Sequence, residues 1–315
     1  MKHLKGLTLI ELLITLALGS ALMAVVINVY LSGVNTNAKL ATSVRLSEEG
    51  AFLSNHLHEE VEMAGYYGLL DDYTLNTPAA IPNPCDASWV PTSAALEQLM
   101  ALPVLGVNNA STGTACRGYA VKEGQDILML VRVATQPTDI SLATAANYYL
   151  QASPVNYVID TGANTSSFNL TEYGLSTLLP LHEFIVSIYF VDVNDRLNRL
   201  KLAGSTFVLE PLVENVDVFQ VDYGVDRSGD GAPNETVVGA GDAYVSSLST
   251  IADWQNVVAV NTYAILRAER VTTGYTDDRT YLTGRAGYVG PYSDAFKRRL
   301  VANRLQLVNV AMRRQ

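Results

Sequence analysis

A carboxylate inside an otherwise apolar stretch is the first place where this sequence could do chemistry. Glu11 sits between Leu9-Ile10 and Leu12-Leu13-Ile14, in a run of 23 residues that stays almost wholly apolar from Leu9 to Leu31. A charge at the centre of a membrane helix costs roughly 2.5–3.5 kcal/mol on insertion scales, so such residues are rare and have a task. Directly upstream lie Lys2, His3, Lys5 and Gly6. A second candidate is Asp226-Arg-Ser228-Gly-Asp230-Gly231-Ala-Pro-Asn234-Glu235. It sets oxygen ligands at positions one, three and five around a sharp glycine turn, as a calcium loop begins. Asp226, Ser228, Asp230 and Asn234 are the candidate ligands. Position twelve is Val237 rather than a bidentate glutamate. The competing reading is a solvated hairpin loop in which Asp and Gly only make the turn. A third candidate is the pair Cys85 and Cys116. A bridge between them would close a loop of about 32 residues and contribute roughly 3–4 kcal/mol in the chain-entropy view, the alternative being two buried thiols.

Catalytic signatures are missing. There is no Gly-x-Ser-x-Gly, phosphate loop or Cys-x-x-Cys, and no nucleophile with a spaced His and Asp. His56 and His58 stand two apart, so on a helix they face different ways and read as surface residues, while His182 is alone. Lys297-Arg298-Arg299 and Arg313-Arg314 read as solvated strand ends. The chain is therefore expected not to be an enzyme.

These residues need elements to hold them. As a helix the apolar run would span about 34 Å, enough to cross a bilayer core. It is longer than a signal-peptide core, no Ala-x-Ala-like site follows it, and it contains a charge. Beyond it, Leu40, Val44, Leu53, Leu57, Val61 and Ala64 recur at helical spacing, and no proline occurs before Pro78. One helix is expected over residues 7–65. Residues 66–315 form the head. Its 69–125 segment, which holds both cysteines, reads as irregular with one helical patch near Ser93–Met100. Strands are expected at 126–133, 183–193, 207–212, 216–223, 257–266 and 305–312. The fold class is α+β: a long N-terminal spine helix packed on a mostly antiparallel sheet.

Charge sets the compartment. The 315-residue chain carries −10, and losing Lys2 and Lys5 from its 21 basic residues leaves 19 against 31 acidic ones, or −12. Such a surface disfavours direct nucleic-acid binding. Lysines precede the apolar run and none follows until Lys39, which places the N-terminus in the cytoplasm and the head in an oxidising space outside. Seventeen tyrosines against seven phenylalanines suit an interface-rich surface.

Lys5-Gly6-Leu7-Thr8-Leu9-Ile10-Glu11-Leu12 resembles the processing site of a type IV prepilin. The resemblance implies that residues 1–6 are a leader removed after Gly6 by a prepilin peptidase, that Leu7 becomes a methylated N-terminus, and that Glu11 pairs with the N-terminal amine of a neighbouring subunit. Phe is usual where Leu7 stands. Arg45-Leu-Ser-Glu-Glu-Gly-Ala-Phe52 and Glu60-Val-Glu-Met-Ala-Gly-Tyr-Tyr-Gly68 are similar to blocks of the PilW family of minor pilins. So are stretches 126–132, 213–225, 254–260 and 298–313, while Glu62 replaces a usually basic residue. What this implies is a non-enzymatic minor pilin in the inner membrane, with its head periplasmic. It would join other minor pilins and the major pilin, prime pilus assembly, and sit at the extracellular tip with a PilY-type adhesin. Motility, adhesion and DNA uptake would follow. A type II secretion pseudopilin, or a membrane-anchored periplasmic binding protein or enzyme, are the alternatives.

Overall fold

The computed structural model describes residues 8–70, 75, 77–233, 241, 243–284 and 287–312. One helix, α1 (Leu9–Glu62), opens the chain. Thr8 starts it, its Oγ1 accepting the Glu11 N–H at 3.4 Å. The chain divides into two compact units, Met1–Glu48 and Glu49–Gln315. In the first, apolar side chains are exposed all round the helix, Leu9, Leu22 and Tyr30 among them. In the second, Leu53, Leu57, Glu60, Val61 and Ala64 are buried at spacings of three and four. Gly50 suits that approach, since a Cβ there would lie 3.1 Å from side-chain atoms of Arg299 and Val301, which would have to give way.

After α1 come α2 (Ser93–Met100), β1 (Val104–Val107), β2 (Ala115–Cys116), β3 (Tyr119–Ala120) and β4 (Ile127–Val133). Next are β5 (Tyr148–Ala152), β6 (Tyr157–Thr161), β7 (Leu181–Val191), β8 (Leu197–Ala203) and β9 (Thr206–Val213). The chain closes with β10 (Val216–Val225), β11 (Ala243–Val245), α3 (Ile251–Gln255), β12 (Val257–Arg267), β13 (Tyr281–Leu282), β14 (Tyr288–Val289), β15 (Arg298–Gln306) and α4 (Val308–Ala311). Sheet 1 runs β1-β4-β7-β5-β6, with β8 also on β7 and β9 on β8; sheet 2 runs β11-β10-β12-β15. The strand pairings are antiparallel. The fold class is the expected one, α+β.

Three local expectations change. The 69–125 segment is not wholly irregular, for it supplies edge strand β1 and the β2–β3 hairpin as well as α2. The expected strand at 305–312 ends at Gln306 and turns into α4, so the strand lies earlier, over Arg298–Gln306. Strands β5, β6 and β8 lie outside the expected set, being short or carrying polar residues.

Gly65, at φ +74°, ends α1 in a left-handed conformation that a side chain disfavours. Its N–H then bonds the Val131 carbonyl at 2.9 Å, a place on the ladder that Pro103, opposite, has no N–H to fill. The helix end is thereby stitched to β4.

The two sheets meet at Gly124-Gln125-Asp126. Asp126 Oδ1 accepts the Asn109 N–H at 2.8 Å and Oδ2 the Val221 N–H at 2.7 Å. Gln125 Oε1 accepts from Phe219 N–H, and Gln220 Nε2 donates to the Gly124 carbonyl. Burial pushes the Asp126 carboxyl up to about 7; its two backbone hydrogen bonds oppose that rise and nearby Asp222 adds to it. A folded-state value above the unfolded one stabilises fully below the unfolded value and loses that stability as pH rises. Between pH 4 and 7 this group should cost up to about 1.4 kcal/mol of stability per pH unit. Asp126→Asn lacks one acceptor and is less stable throughout, but its unfolding free energy should fall less steeply from pH 5 to 7 than that of the parent. His56 titrates in both and cancels in the difference. Equal slopes in urea denaturation would refute this.

Candidate functional site

The N-terminal candidates come first. Gly6 and Leu7 lie outside the described residues. Glu11 stands in the first turn of α1, where the positive end of the helix dipole favours a carboxylate. The apolar side chains that follow it are exposed in the single chain, so they require lipid or neighbouring helices. This is one helix long and apolar enough to cross a membrane.

Within the second unit, a buried ion cluster ties α1 to sheet 1. Glu60 lies 2.8 Å from Arg132 of β4 and 3.6 Å from Arg199 of β8, which in turn pairs with Glu210 of β9 at 2.5 Å. Burial opposes ionisation of Glu60, but the Arg132 hydrogen bond and the charges of Arg132 and Arg199 outweigh it and hold its carboxyl below the usual range. His56 belongs to the same face, contrary to the surface reading: it is half-buried, with Nε2 3.2 Å from the Tyr189 hydroxyl. Burial and the Arg199 charge lower its pKa. His58 does lie at the surface, 3.4 Å from Glu62. His182 is buried, its Nδ1 2.8 Å from the Ala134 carbonyl and its ring edge-on to Tyr66.

The loop from Asp226 folds around its own first residue. Oδ1 accepts from Ser228 Oγ, Gly229 N–H and Asp230 N–H at 3.1, 2.6 and 3.3 Å, and Oδ2 accepts the Gly231 N–H at 2.9 Å. Asp230 Oδ1 is occupied by the Ala232 N–H. Asn234 lies outside the described residues. Among the described residues no group of three His, Cys, Asp or Glu is placed to hold a metal.

Cys85 and Cys116 are joined in a disulfide. It fixes the segment before α2 to the β2–β3 hairpin, and Arg117 completes the joint. Arg117 donates its N–H to the Cys85 carbonyl and Nη1 to the carbonyls of Asp86 and Trp89, with its guanidinium 4.8 Å above the Phe207 ring. Replacing both cysteines with serine should cost about 3 kcal/mol, mostly through the freed unfolded chain. Urea denaturation with and without reductant checks it: reductant should destabilise the parent and leave the double variant unchanged.

Arg298, read from sequence as a solvated strand end, is buried instead. It binds Asp217, Asp277 and Asp294 at once and lies 3.7 Å from the centre of the Tyr292 ring. No spacing rule flags it, because its partners come from β10 and from the connection between β12 and β15.

Two comparisons bear on this arrangement. Residues 1–27 match the prokaryotic N-terminal methylation motif, and residues 188–309 match the family described as type IV pilus-assembly protein W. The chain matches a PilW-family pilin. No curated protein matches it. The matched stretch runs from the end of β7 to α4 and contains all of sheet 2. The disulfide, α2 and β1 to β6 precede it, as do the blocks at 45–68 and 126–132. The two matches support a type IV pilus-related protein, and the methylation motif with the apolar helix supports membrane anchoring.

Proposed function

We propose that the chain is a minor pilin without catalytic activity. It is cleaved after Gly6 by a prepilin peptidase and methylated at Leu7. With other minor pilins it primes the assembly of the major pilin, and it remains at the extracellular tip beside a PilY-type adhesin. The observation that carries this reading is the methylation motif over residues 1–27 leading into a helix whose apolar side chains are exposed among the described residues. Packed beside like helices, Glu11 finds its counter-charge in the free amine of a neighbour, which offsets the cost of a carboxylate in an apolar layer. The sheet-rich head meets the other subunits. A calcium ion at Asp226, Ser228, Asp230 and Asn234 remains part of the proposal, resting on ligand spacing alone. Calcium added to the chelator-treated chain should then raise its melting temperature.

The test is the intact mass and N-terminal sequence of the protein from membranes with and without the peptidase. A peptidase-dependent, methylated start at Leu7 is expected, and a start at Met1 in both strains overturns the reading. Glu11→Val should be cleaved normally yet be absent from sheared pili, by immunoblot of the pilus fraction.

A further inference from the structure

The outer edge of β15 is open. Its ladder with β12 runs without a shift from Arg267↔Arg298 to Ala259↔Gln306. The flanking bonds, Ala268 N–H to the Lys297 carbonyl and Leu307 N–H to the Val258 carbonyl, fix which residues face inward. Arg299, Val301, Asn303 and Leu305 bond to β12. The backbone N–H and C=O groups of Leu300, Ala302, Arg304 and Gln306 therefore point away from the sheet. The Arg298 carbonyl confirms the phase, since it too faces outward and accepts from Arg279. Among the described residues no strand pairs with this edge, and Ala302, Arg304 and Gln306 are exposed.

Proteins usually blunt such edges with proline, bulges or short strands. Elsewhere this fold does so. The edge strand β9 carries Pro211 and a register shift beside it, and β1, β6 and β11 have four, five and three residues. β15 has nine residues, no proline and no bulge. Its exposed charges are Arg299, which passes beside Gly50 of α1, and Arg304.

We propose that this edge accepts an extended, acid-bearing segment of another pilus-class subunit as a fifth strand of sheet 2. Backbone hydrogen bonds would supply the affinity, as in strand addition generally. The exposed Arg304 guanidinium calls for a carboxylate on the incoming strand, and small Ala302 leaves room for a large neighbour. A second copy is the poorer fit, since pairing two such edges would set Arg304-bearing strands against each other. The inference rests on the pilin reading above.

The full chain should be purified in detergent, alone and with each other prepilin of the same cell co-expressed in turn, and its amide exchange read residue by residue. In a complex, exchange at Leu300, Ala302, Arg304 and Gln306 should slow by on the order of 100-fold, while Val301, Asn303 and Leu305 stay protected throughout. Ala302→Pro removes an outward donor and no ladder bond, so it should lose the partner while keeping the melting temperature within a few degrees. Arg304→Glu should weaken binding at least about tenfold. A complex that leaves those four amides fast, no complex with any prepilin, or protection in the chain alone from self-pairing each overturns the proposal. The mass of the N-terminus, measured on the same sample, shows separately whether the pilin reading holds.

Discussion

Arg298→Met should lower the unfolding free energy by about 2–3 kcal/mol, since the buried carboxylates Asp217 and Asp277 each lose one of their two cations. The Arg298 side chain is 3% exposed. Nε bonds Asp217 at 2.6 Å, Nη1 and Nη2 hold the Asp294 carboxylate at 2.6 and 2.7 Å, and Asp277 lies 3.4 Å away, itself fully buried. Methionine fills much of the volume but satisfies none of the three. Asp217 keeps Arg267 and Asp277 keeps Arg279, while Asp294, whose side chain is 37% exposed, is left without a cation but open to water. The Arg298 hydrogen bond is what chiefly holds the Asp294 carboxyl below the usual carboxylate range. A lowered folded-state value gives stability that is present above the unfolded value and lost as pH falls. The deficit of the variant should therefore be full at pH 7 and smaller near pH 3. Asp294→Asn added to Arg298→Met should recover part of the loss. Urea denaturation of the solubilised chain, followed by the fluorescence of Trp89 and Trp254, measures all of this. A deficit under about 1 kcal/mol at pH 7 would place Arg298 among ordinary surface pairs.

That residue also shows what the sequence conceals. Strands such as β10 and β12 are legible because apolar or alternating residues with β propensity need no knowledge of the rest of the fold. The helix is legible for the same reason, its period and lack of proline being local. Burial of a charged side chain is different, because it depends on partners brought from distant positions. Arg298 meets residues from 217 to 294, and Asp126 joins a strand almost a hundred residues away. The tyrosines teach the same lesson. Their number suggested an exposed surface, yet Tyr67, Tyr189 and Tyr223 are among the largest fully buried side chains. Tyr223 passes over Gly106, where a Cβ would lie only 1.8 Å from its hydroxyl, and only the tertiary structure calls for a glycine there. Residues 305–312 misled because an apolar run marks a strand and a buried helical turn alike. The features behind the methylation-motif match are local in sequence by nature: a short stretch around Gly6 and an apolar helix need nothing from the head.

Glu60→Gln should be the second costly change, destabilising the head by about 3 kcal/mol. Glu60 is 6% exposed, and a neutral amide in its place leaves Arg132 and Arg199 facing each other at side-chain exposures of 14% and 17%. Arg199 retains Glu210, whereas Arg132 has no other carboxylate within ion-pairing distance among the described residues, and its Nε already lacks a hydrogen-bond partner. The wild-type contribution is lost on acidification, because Glu60 titrates below its ordinary value. The variant should accordingly approach the parent at low pH. Its effect on His56 has the opposite origin: Glu60 favours the charged imidazole, so removing it should lower the His56 pKa further. A double-mutant cycle between Glu60 and Arg132 should give a coupling above about 1.5 kcal/mol, against under about 0.5 for the exposed His58–Glu62 pair. A coupling no larger than the exposed pair would remove the cluster as the tie between α1 and sheet 1. On the proposed pilin reading, membrane insertion and leader cleavage depend on residues far upstream, so the variant should be processed at the normal rate and then lost to proteolysis before assembly. Pulse-chase labelling separates those two steps.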